Sequence, residues 1–167
     1  MVRLVPMTEE AFKDFMVISM RDQAQGQVQA GAWRAEEADR NINTLRSQFL
    51  PAGLATPGHF FLTIEEAATD AEVGGLWYLV EEEEGKRQLF VVDIQINEAY
   101  RRHGYGSQAF EAMEETAQEM GITTISLHVF RHNHPARAMY EKLGYVGADT
   151  MMSKELADLT SRAVPSL

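Results

Sequence analysis

The sequence predicts a single α/β domain in which short strands alternate with amphipathic helices. Two observations support this class. The chain has 167 residues, an ordinary size for one domain, and 45% of them are apolar, which is enough to bury a core. Apolar residues recur with a period of two in some segments and at helical spacing in others. The predicted order is a strand, two helices, two or three strands, a helix, a strand, a helix and a last strand.

The first part of the chain begins with a strand and two helices. Residues 2–7 alternate in polarity and form a short edge strand that Pro6 ends. Thr8 is a typical helix N-cap, and two glutamates and an apolar face follow it. We expect that helix to end before residues 22–33, a polar connection interrupted by glycine. A second helix starts at Arg34 and ends at the breaker "LPAGLATPG".

The rest of the chain holds the longer strands and two more helices. The predicted strands cover residues 59–66, 72–84, 89–96 and 124–130, with one or two more in 145–156. One helix follows Gly104 and is closed by Gly121, and a shorter one has Pro135 near its start and Gly144 at its end. The four glutamates at 81–84 are typical of a solvated hairpin tip, because cation sites space their ligands.

Composition excludes several classes of function. The formal net charge of −10 and the pI of about 4.9 argue against nonspecific binding to nucleic acid, which needs a basic surface. An acidic chain suits a cationic substrate, although acidity is also an ordinary route to solubility. The absence of cysteine excludes disulfides, thiolate metal sites and a cysteine nucleophile. Neither a signal-peptide core nor an apolar run of membrane-spanning length is present, so we expect a cytoplasmic protein with no membrane partner.

The segment "RRHGYGSQAF", residues 101–110, contains the motif most suggestive of a ligand. Its glycines match the dinucleotide pattern G-x-G-x-x-[GA], but seven residues separate them from the strand end at Ile96, and the next strand ends without an acidic residue. No G-K-[ST] follows, which excludes a Walker loop. The interpretation that remains is a turn with glycines and basic residues before a helix. Such a turn either binds a pyrophosphate at the helix N-terminus or is a surface loop without a ligand.

A second motif follows the next strand, in the segment "LHVFRHNHPARAMYEKLGYV". With "RRHGYG" read as [RQ]-x-x-G-x-[GA], the residues Asn133, Ala136, Tyr140, Gly144 and Tyr145 complete N-x-x-A-x-x-x-Y-x-x-x-G-[FY]. On these two motifs the sequence resembles the GCN5-related N-acetyltransferase (GNAT) family. The strong match extends from Leu89 to about Leu156.

The resemblance implies a particular version of the α/β class. We expect a mixed, mostly antiparallel central sheet of six to seven strands, with a splayed central pair and about four helices on both faces. Residues 1–167 would then form a single acetyltransferase domain. Within it, residues 1–88 would bind the acceptor and residues 89–156 would bind acetyl-coenzyme A.

The resemblance also implies acetyl-coenzyme A as co-substrate, without a metal. The diphosphate would lie on the amides of residues 102–107, and the pantetheine arm would pair with the main chain of one splayed strand. The residues implied in binding are Ile94, Gln95, Ile96, Arg101, Arg102, His103, Gly104, Tyr105, Gly106, Ser107, Asn133 and Ala136.

Tyr140 matches the family's usual general acid, which would assist the departing thiolate. The base is less determined: Asp93 and His128 are both candidates, and water is a third. The acceptor would be a small-molecule amine or a protein amine, and a homodimer is left open. Candidate cleft residues in the first half are Trp33, His59, Trp77 and Tyr78, although core packing is the more common role for tryptophan. The alternatives are a non-catalytic acyl-coenzyme A sensor on the same fold and a domain without a coenzyme site.

Overall fold

A six-stranded sheet forms the middle of the structure. The computed structural model describes residues 1–147 and 149–159. Its strands lie side by side in chain order. They are β1 (Val2–Pro6), β2 (His59–Glu66), β3 (Glu72–Glu83), β4 (Lys86–Ile96), β5 (Thr124–His128) and β6 (Met151–Glu155).

One strand pair differs from the others. Neighbouring strands are antiparallel except for β4 and β5, which are parallel. Their pairing ends at Val91 and Leu127, although β4 continues to Ile96. The pairing of β4 with β3 carries a bulge at the same place, with Val92 as the extra residue. Because a bulge bends its strand, β4 turns away from β5 here, and this produces the predicted splay.

In the described part of the chain, four α-helices cover the two faces of the sheet. They are α1 (Glu9–Gln29), α2 (Ala38–Phe49), α3 (Tyr105–Glu119) and α4 (His134–Lys142). The helices α3 and α4 contribute Phe110, Met113 and Tyr140 to the core on one face. On the other face, α1 packs Phe15 against Phe61 of β2 and Trp77 of β3. Alternation along the strands supplies apolar residues to both layers.

The first helix is longer than the sequence predicts. Thr8 caps it as expected, with its hydroxyl accepting from the Ala11 amide at 3.1 Å. The predicted connection 22–33 is wrong over most of its length, because α1 continues through Gly26 to Gln29. Gly26 is buried under the ring of Phe130, and a Cβ there would lie 2.3 Å from that ring. This glycine therefore provides close packing inside a helix instead of a helix end.

The buried face of α2 also differs from the predicted one. The helical spacing of apolar residues suggests Ala38, Ile42, Leu45 and Phe49 as the inner face. In the structure Ala38 and Ile42 are buried, but Leu45 is 46% exposed and Phe49 38% exposed. The third buried position is Arg46, which is only 8% exposed. A helical turn of 3.6 residues places Arg46 below Ile42, so the helix buries a cation on its core side.

Three expectations concern features outside the core. Residues Glu81–Glu84 are exposed at the β3–β4 hairpin, where Glu84 and Gly85 have positive φ, so the solvated tip is confirmed. Within residues 1–147 and 149–159, no cluster of three His, Asp or Glu side chains is arranged to hold a metal ion. None of the described helices is long and apolar enough to cross a membrane.

Candidate active site

A cleft of about 640 Å³ opens where β4 and β5 separate. Its walls come from these two strands, from the starts of α3 and α4, and from the C-terminal half of α1. Because the cleft passes between strands, residues from both faces of the sheet line it. Asp93 and Ile94 therefore both reach it, as do Leu127 and His128.

The glycine loop places the N-terminus of α3 at one end of this cleft. Gly104 is the N-cap and has a φ of 78°, a left-handed conformation that favours glycine. No side chain caps the helix and its first turn has no acidic residue. The first intrahelical bond runs from the Gln108 amide to the Gly104 carbonyl at 3.1 Å, so the amides of residues 105–107 have no acceptor within the helix. Free amides at a helix start, together with the helix dipole, attract anions.

The basic residues of the loop have different positions. Arg101 and Arg102 both line the cleft, and the Arg101 Nε donates to the Ile96 carbonyl at 3.0 Å, which ties the loop to the end of β4. The His103 Nδ1 lies 3.1 Å from the Tyr100 carbonyl oxygen, and its ring stacks on Tyr105. His103 and Tyr105 do not line the cleft.

The start of α4 forms the wall opposite β4. The Asn133 side chain caps α4 by accepting from the Ala136 amide at 3.3 Å, and both residues line the cleft. Gly106 packs closely on Met139, since a Cβ at Gly106 would lie 3.2 Å from the Met139 sulfur. The absence of a side chain at Gly106 thus lets the start of α3 approach α4 closely.

Tyr140 lies in the same cleft, and only 8% of it is exposed. Its ring packs against Phe110, with the ring centroids 5.4 Å apart. Burial raises the pKa of Tyr140 to about 12, and the negative charge of Asp93 adds to this effect. The hydroxyl is therefore protonated at neutral pH and is a hydrogen-bond donor.

Asp93 follows the bulge of β4 and is half-buried. Its Oδ2 accepts from the Gln95 Nε2 at 3.1 Å. Burial raises the pKa of Asp93, and the Ser19 hydroxyl and the Gln95 amide oppose that shift. A carboxylate with a raised pKa is a better proton acceptor than an exposed one.

His128 ends β5 on the other side of the cleft and is exposed. Its ring meets Phe130 edge to face, with centroids 5.1 Å apart. Partial desolvation lowers the pKa of His128, and the negative charge of Asp149 opposes this. The imidazole is thus mostly neutral at pH 7 and can accept a proton.

The remaining predicted residues lie elsewhere. The Gln95 side chain points to the α1 side, where it also donates to the Phe15 carbonyl at 3.2 Å. None of the four candidates from the first half lines this cleft. Trp77 and Tyr78 are buried in the core, the Trp77 Nε1 donates to the His59 Nδ1 at 3.0 Å, and Trp33 packs beside Ala38.

Sequence reasoning missed the contribution of α1. Asp22, Gln23 and Gln27 line the cleft, and all three belong to the segment predicted as a connection. A signal was present, because Gln23 and Gln27 are spaced by one helical turn and so share a face. Gly26 between them obscured it.

Comparison with known proteins bears on this arrangement. A sequence profile described as "Acetyltransferase (GNAT) family" matches residues 20–145, about three quarters of the chain. The chain belongs to the GNAT acetyltransferase family. This confirms the family and the enzyme class that the two motifs indicate.

Other GNAT proteins resemble the whole chain. The uncharacterized N-acetyltransferase YycN of Bacillus subtilis is 37% identical over 155 residues, which cover 93% of this chain and 99% of YycN. The crystal structure of YycN superimposes with a TM-score of 0.84, at 36% identity and with coverage of 94% and 99%. The predicted α/β class, with a mostly antiparallel sheet and helices on both faces, is confirmed.

A more distant GNAT structure shares the fold alone. The spermidine N-acetyltransferase of Vibrio cholerae was solved with coenzyme A and spermine, and it superimposes with a TM-score of 0.67 at 12% identity. The match covers 94% of this chain and 96% of that one. At this level of identity the likeness concerns the backbone and not the acceptor.

Proposed function

We propose that this GNAT protein transfers an acetyl group from acetyl-coenzyme A to a primary amine, by direct attack in a ternary complex. The observation that carries the proposal is the composition of one cleft. At one end of the cleft are the free amides at the start of α3. Further along are the protonated hydroxyl of Tyr140 and the carboxylate of Asp93, whose pKa is raised. An anionic donor and an amine can therefore meet in this cleft.

The donor would occupy the half formed by residues 89–156. The amides at the start of α3 suit a diphosphate, and Arg101 and Arg102 add positive charge. Beyond Val91, β4 has no β5 partner, so main-chain groups near Ile94 and Ile96 can pair with the amides of a pantetheine arm. Gln95 would contribute its backbone, because its side chain points to α1. That the V. cholerae relative binds coenzyme A supports this assignment.

The remaining binding residues would act at the edges of the arm. Asn133 and Ala136 line the cleft at the start of α4. Gly104 provides the left-handed turn before α3, and Gly106 provides close helix packing. His103, Tyr105 and Ser107 would contribute main-chain groups, and their side chains lie outside the cleft.

The chemistry follows from these positions. The amine nitrogen attacks the thioester carbonyl carbon and forms the C–N bond. Collapse of the tetrahedral intermediate breaks the C–S bond, and the electron pair leaves with the sulfur as a thiolate. Tyr140 would stabilise that sulfur by donating a hydrogen bond. Its pKa of about 12 exceeds that of a thiol, ~8.5, so hydrogen bonding is favoured over complete proton transfer to the thiolate.

The attacking amine must also lose a proton. Asp93 is the base we favour, because it shares the cleft with Tyr140 and acts electrostatically on it. The nitrogen becomes positively charged on forming the new C–N bond, and the Asp93 carboxylate would take one of its protons. His128 is the second candidate, since it lines the same cleft from β5. A loss of turnover in Asp93→Asn, with turnover retained in His128→Gln, would support this choice.

The acceptor would approach from the α1 side, where Asp22 lines the cleft close enough to Asp93 to raise its pKa. Two negative charges there favour a cationic small-molecule amine or a protein amine. Residues 1–88 would thus form the acceptor half, chiefly through α1. The cytoplasmic location expected from the sequence stays a prediction, and the sequence leaves a homodimer open.

An amine panel tests the proposal. Acetyl-coenzyme A is incubated with the protein and with polyamines, amino sugars, amino acids or short peptides, and release of free thiol is followed. We expect turnover with at least one class of amine. Binding of acetyl-coenzyme A without turnover across the panel would favour the sensor alternative. No thermal shift with acetyl-coenzyme A would favour a domain without a coenzyme site.

A further inference from the structure

A buried cation lies behind the proposed base. Arg46 of α2 is 8% exposed, and its guanidinium carbon stands 4.5 Å from the ring centre of Trp77. Its Nη2 donates to the Ser19 oxygen at 3.5 Å, while its Nε has no hydrogen-bond partner among the described residues. Removing a charge from water is costly, and no carboxylate bonds this one directly within the described chain.

Ser19 lies between this cation and the surroundings of Asp93. The Ser19 side chain is fully buried on α1. Asp93 is the cross-strand partner of Trp77, the ring on which Arg46 packs, so these groups share one face of the sheet. A guanidinium only donates, and a hydroxyl has a single hydrogen to donate. Arg46 therefore donates to Ser19, which leaves the Ser19 hydrogen for another acceptor, and the Ser19 hydroxyl favours the ionised form of Asp93 and so lowers its pKa.

The groups around Asp93 divide into two sets. Burial and the negative charge of Asp22 on α1 disfavour the ionised carboxylate, and Tyr140 on α4 is neutral. The Ser19 hydroxyl and the hydrogen bond from Gln95 on β4 favour it, and so, to the smallest extent, does the positive charge of Arg46 on α2. A cation separated from the carboxylate by one hydroxyl supports the charge without occupying its oxygens, as a direct ion pair would.

We propose that Arg46 is a positioning residue that acts through Ser19 to keep the Asp93 carboxylate ionised and held at the cleft. The functional meaning of this inference rests on the proposed role of Asp93 as the base. Arg46 itself does not line the cleft, so it acts on the acceptor only through Asp93. The attraction between Arg46 and the Asp93 carboxylate opposes the effect of burial on the Arg46 pKa.

The test is a carboxyl titration by ¹³C NMR on the full chain without coenzyme. The Asp93 signal is assigned by its loss in Asp93→Asn and is followed from pH ~3 to ~9 in the wild type and three variants. We expect the midpoint to rise by about one pH unit in Arg46→Gln, because the supporting charge is lost. Ser19→Ala should show at least as large a rise, because the Ser19 hydroxyl supports the ionised carboxylate more strongly than Arg46 does, and Arg46→Lys should stay near the wild type because it keeps the charge.

Near-ultraviolet circular dichroism checks that each variant is folded. A role of Arg46 limited to packing on Trp77 would lower the melting temperature in Arg46→Gln and leave the Asp93 midpoint in place, and that result would overturn the inference. If Arg46→Gln does not fold, Ser19→Ala decides, because an unchanged midpoint there also overturns it. Turnover by Asp93→Asn is a separate outcome: full activity would refute the proposed base and would leave the titration result standing.

Discussion

At the scale of single residues, burial determines what Tyr140 can do. The same motif contains a second tyrosine, Tyr145, whose ring also packs on Phe110. Tyr145 is fully buried and its hydroxyl lies 3.4 Å from the Glu114 carboxylate, away from the cleft. Tyr140 instead lines the cleft, so only one of these two similar residues reaches a space that a ligand could occupy.

Replacing Tyr140 with phenylalanine tests its proposed catalytic role. Tyr140→Phe should lower kcat on the order of 100-fold, because the departing sulfur loses its hydrogen-bond donor. The affinity for acetyl-coenzyme A, measured by calorimetry, should change little. Tyr145→Phe is the matched control, and it should lose some stability but keep its kcat. Equal kcat values for the two variants would mean that Tyr140 only packs.

The raised pKa of Asp93 also has a consequence for stability. A folded-state pKa above the unfolded value means that ionising Asp93 costs stability. The cost is absent below the unfolded pKa of about 4 and complete above the folded one. Asp93→Asn should therefore raise the melting temperature near pH 7.5, and the difference from the wild type should disappear as the pH falls to about 4. A lower melting temperature at neutral pH would contradict this expectation.

At the scale of secondary-structure elements, the start of α3 depends on one backbone conformation. Gly104 and Gly121 stand before and after this helix with nearly the same φ, 78° and 77°. A Cβ at Gly104 would meet nothing closer than the Gln108 amide nitrogen, at 3.9 Å. The space in front of Gly104 is therefore open, and we place the diphosphate there.

This symmetry provides a controlled experiment. Gly104→Ala and Gly121→Ala should each lose ~1–2 kcal/mol of stability, because alanine is strained in the left-handed conformation. Gly104→Ala alone should also weaken binding of acetyl-coenzyme A about tenfold or more, which corresponds to ~1.4 kcal/mol. Calorimetry with the donor measures the difference. Equal affinities in the two variants would refute the placement of the diphosphate.

Close packing between β3 and β4 depends on another glycine. A Cβ at Gly74 would lie 2.0 Å from the Gln95 carbonyl oxygen, and this backbone atom cannot move without displacing β4. Gly74→Ala should cost ~1–3 kcal/mol in urea unfolding, as overpacking does. Gly85→Ala at the hairpin tip is the comparison for backbone strain without a clash, since Gly85 has a φ of 77° and no atom lies within 4 Å of its Cβ. A smaller loss at Gly74 than at Gly85 would contradict the expected clash.

At the scale of the whole molecule, the net charge of −10 gives a long-range field. If the acceptor is cationic, that field should speed its approach, and salt should screen the effect. We expect kcat/KM to fall as ionic strength rises, and to fall more steeply for a polyamine than for an amine with a single charge. Initial rates between ~0.05 and ~0.5 M salt test this. A slope that does not depend on the charge of the amine would argue against electrostatic attraction at the acceptor side.

Much of the fold could be predicted from local patterns. The strand His59–Glu66 has its predicted bounds, Gly121 and Gly144 follow their helices with positive φ, and Asn133 and Thr8 cap theirs. These features depend on neighbours in the chain, so periodicity and capping rules capture them. Gly26 misled the prediction, because its role depends on Phe130, more than 100 residues away in the chain.

The sequence by itself determined the family and identified the glycine loop and Tyr140 as parts of its motifs, because each motif is defined by residue types at short spacing. The tertiary structure decided which residues share the cleft. It brought Asp22 of α1 to Asp93, turned the Gln95 side chain away from the coenzyme side, and buried Arg46 behind Ser19. These relations depend on the bulge in β4 and on the packing of α1 and α2 across the sheet. Contacts between distant segments follow from how the faces pack together, which no local pattern encodes.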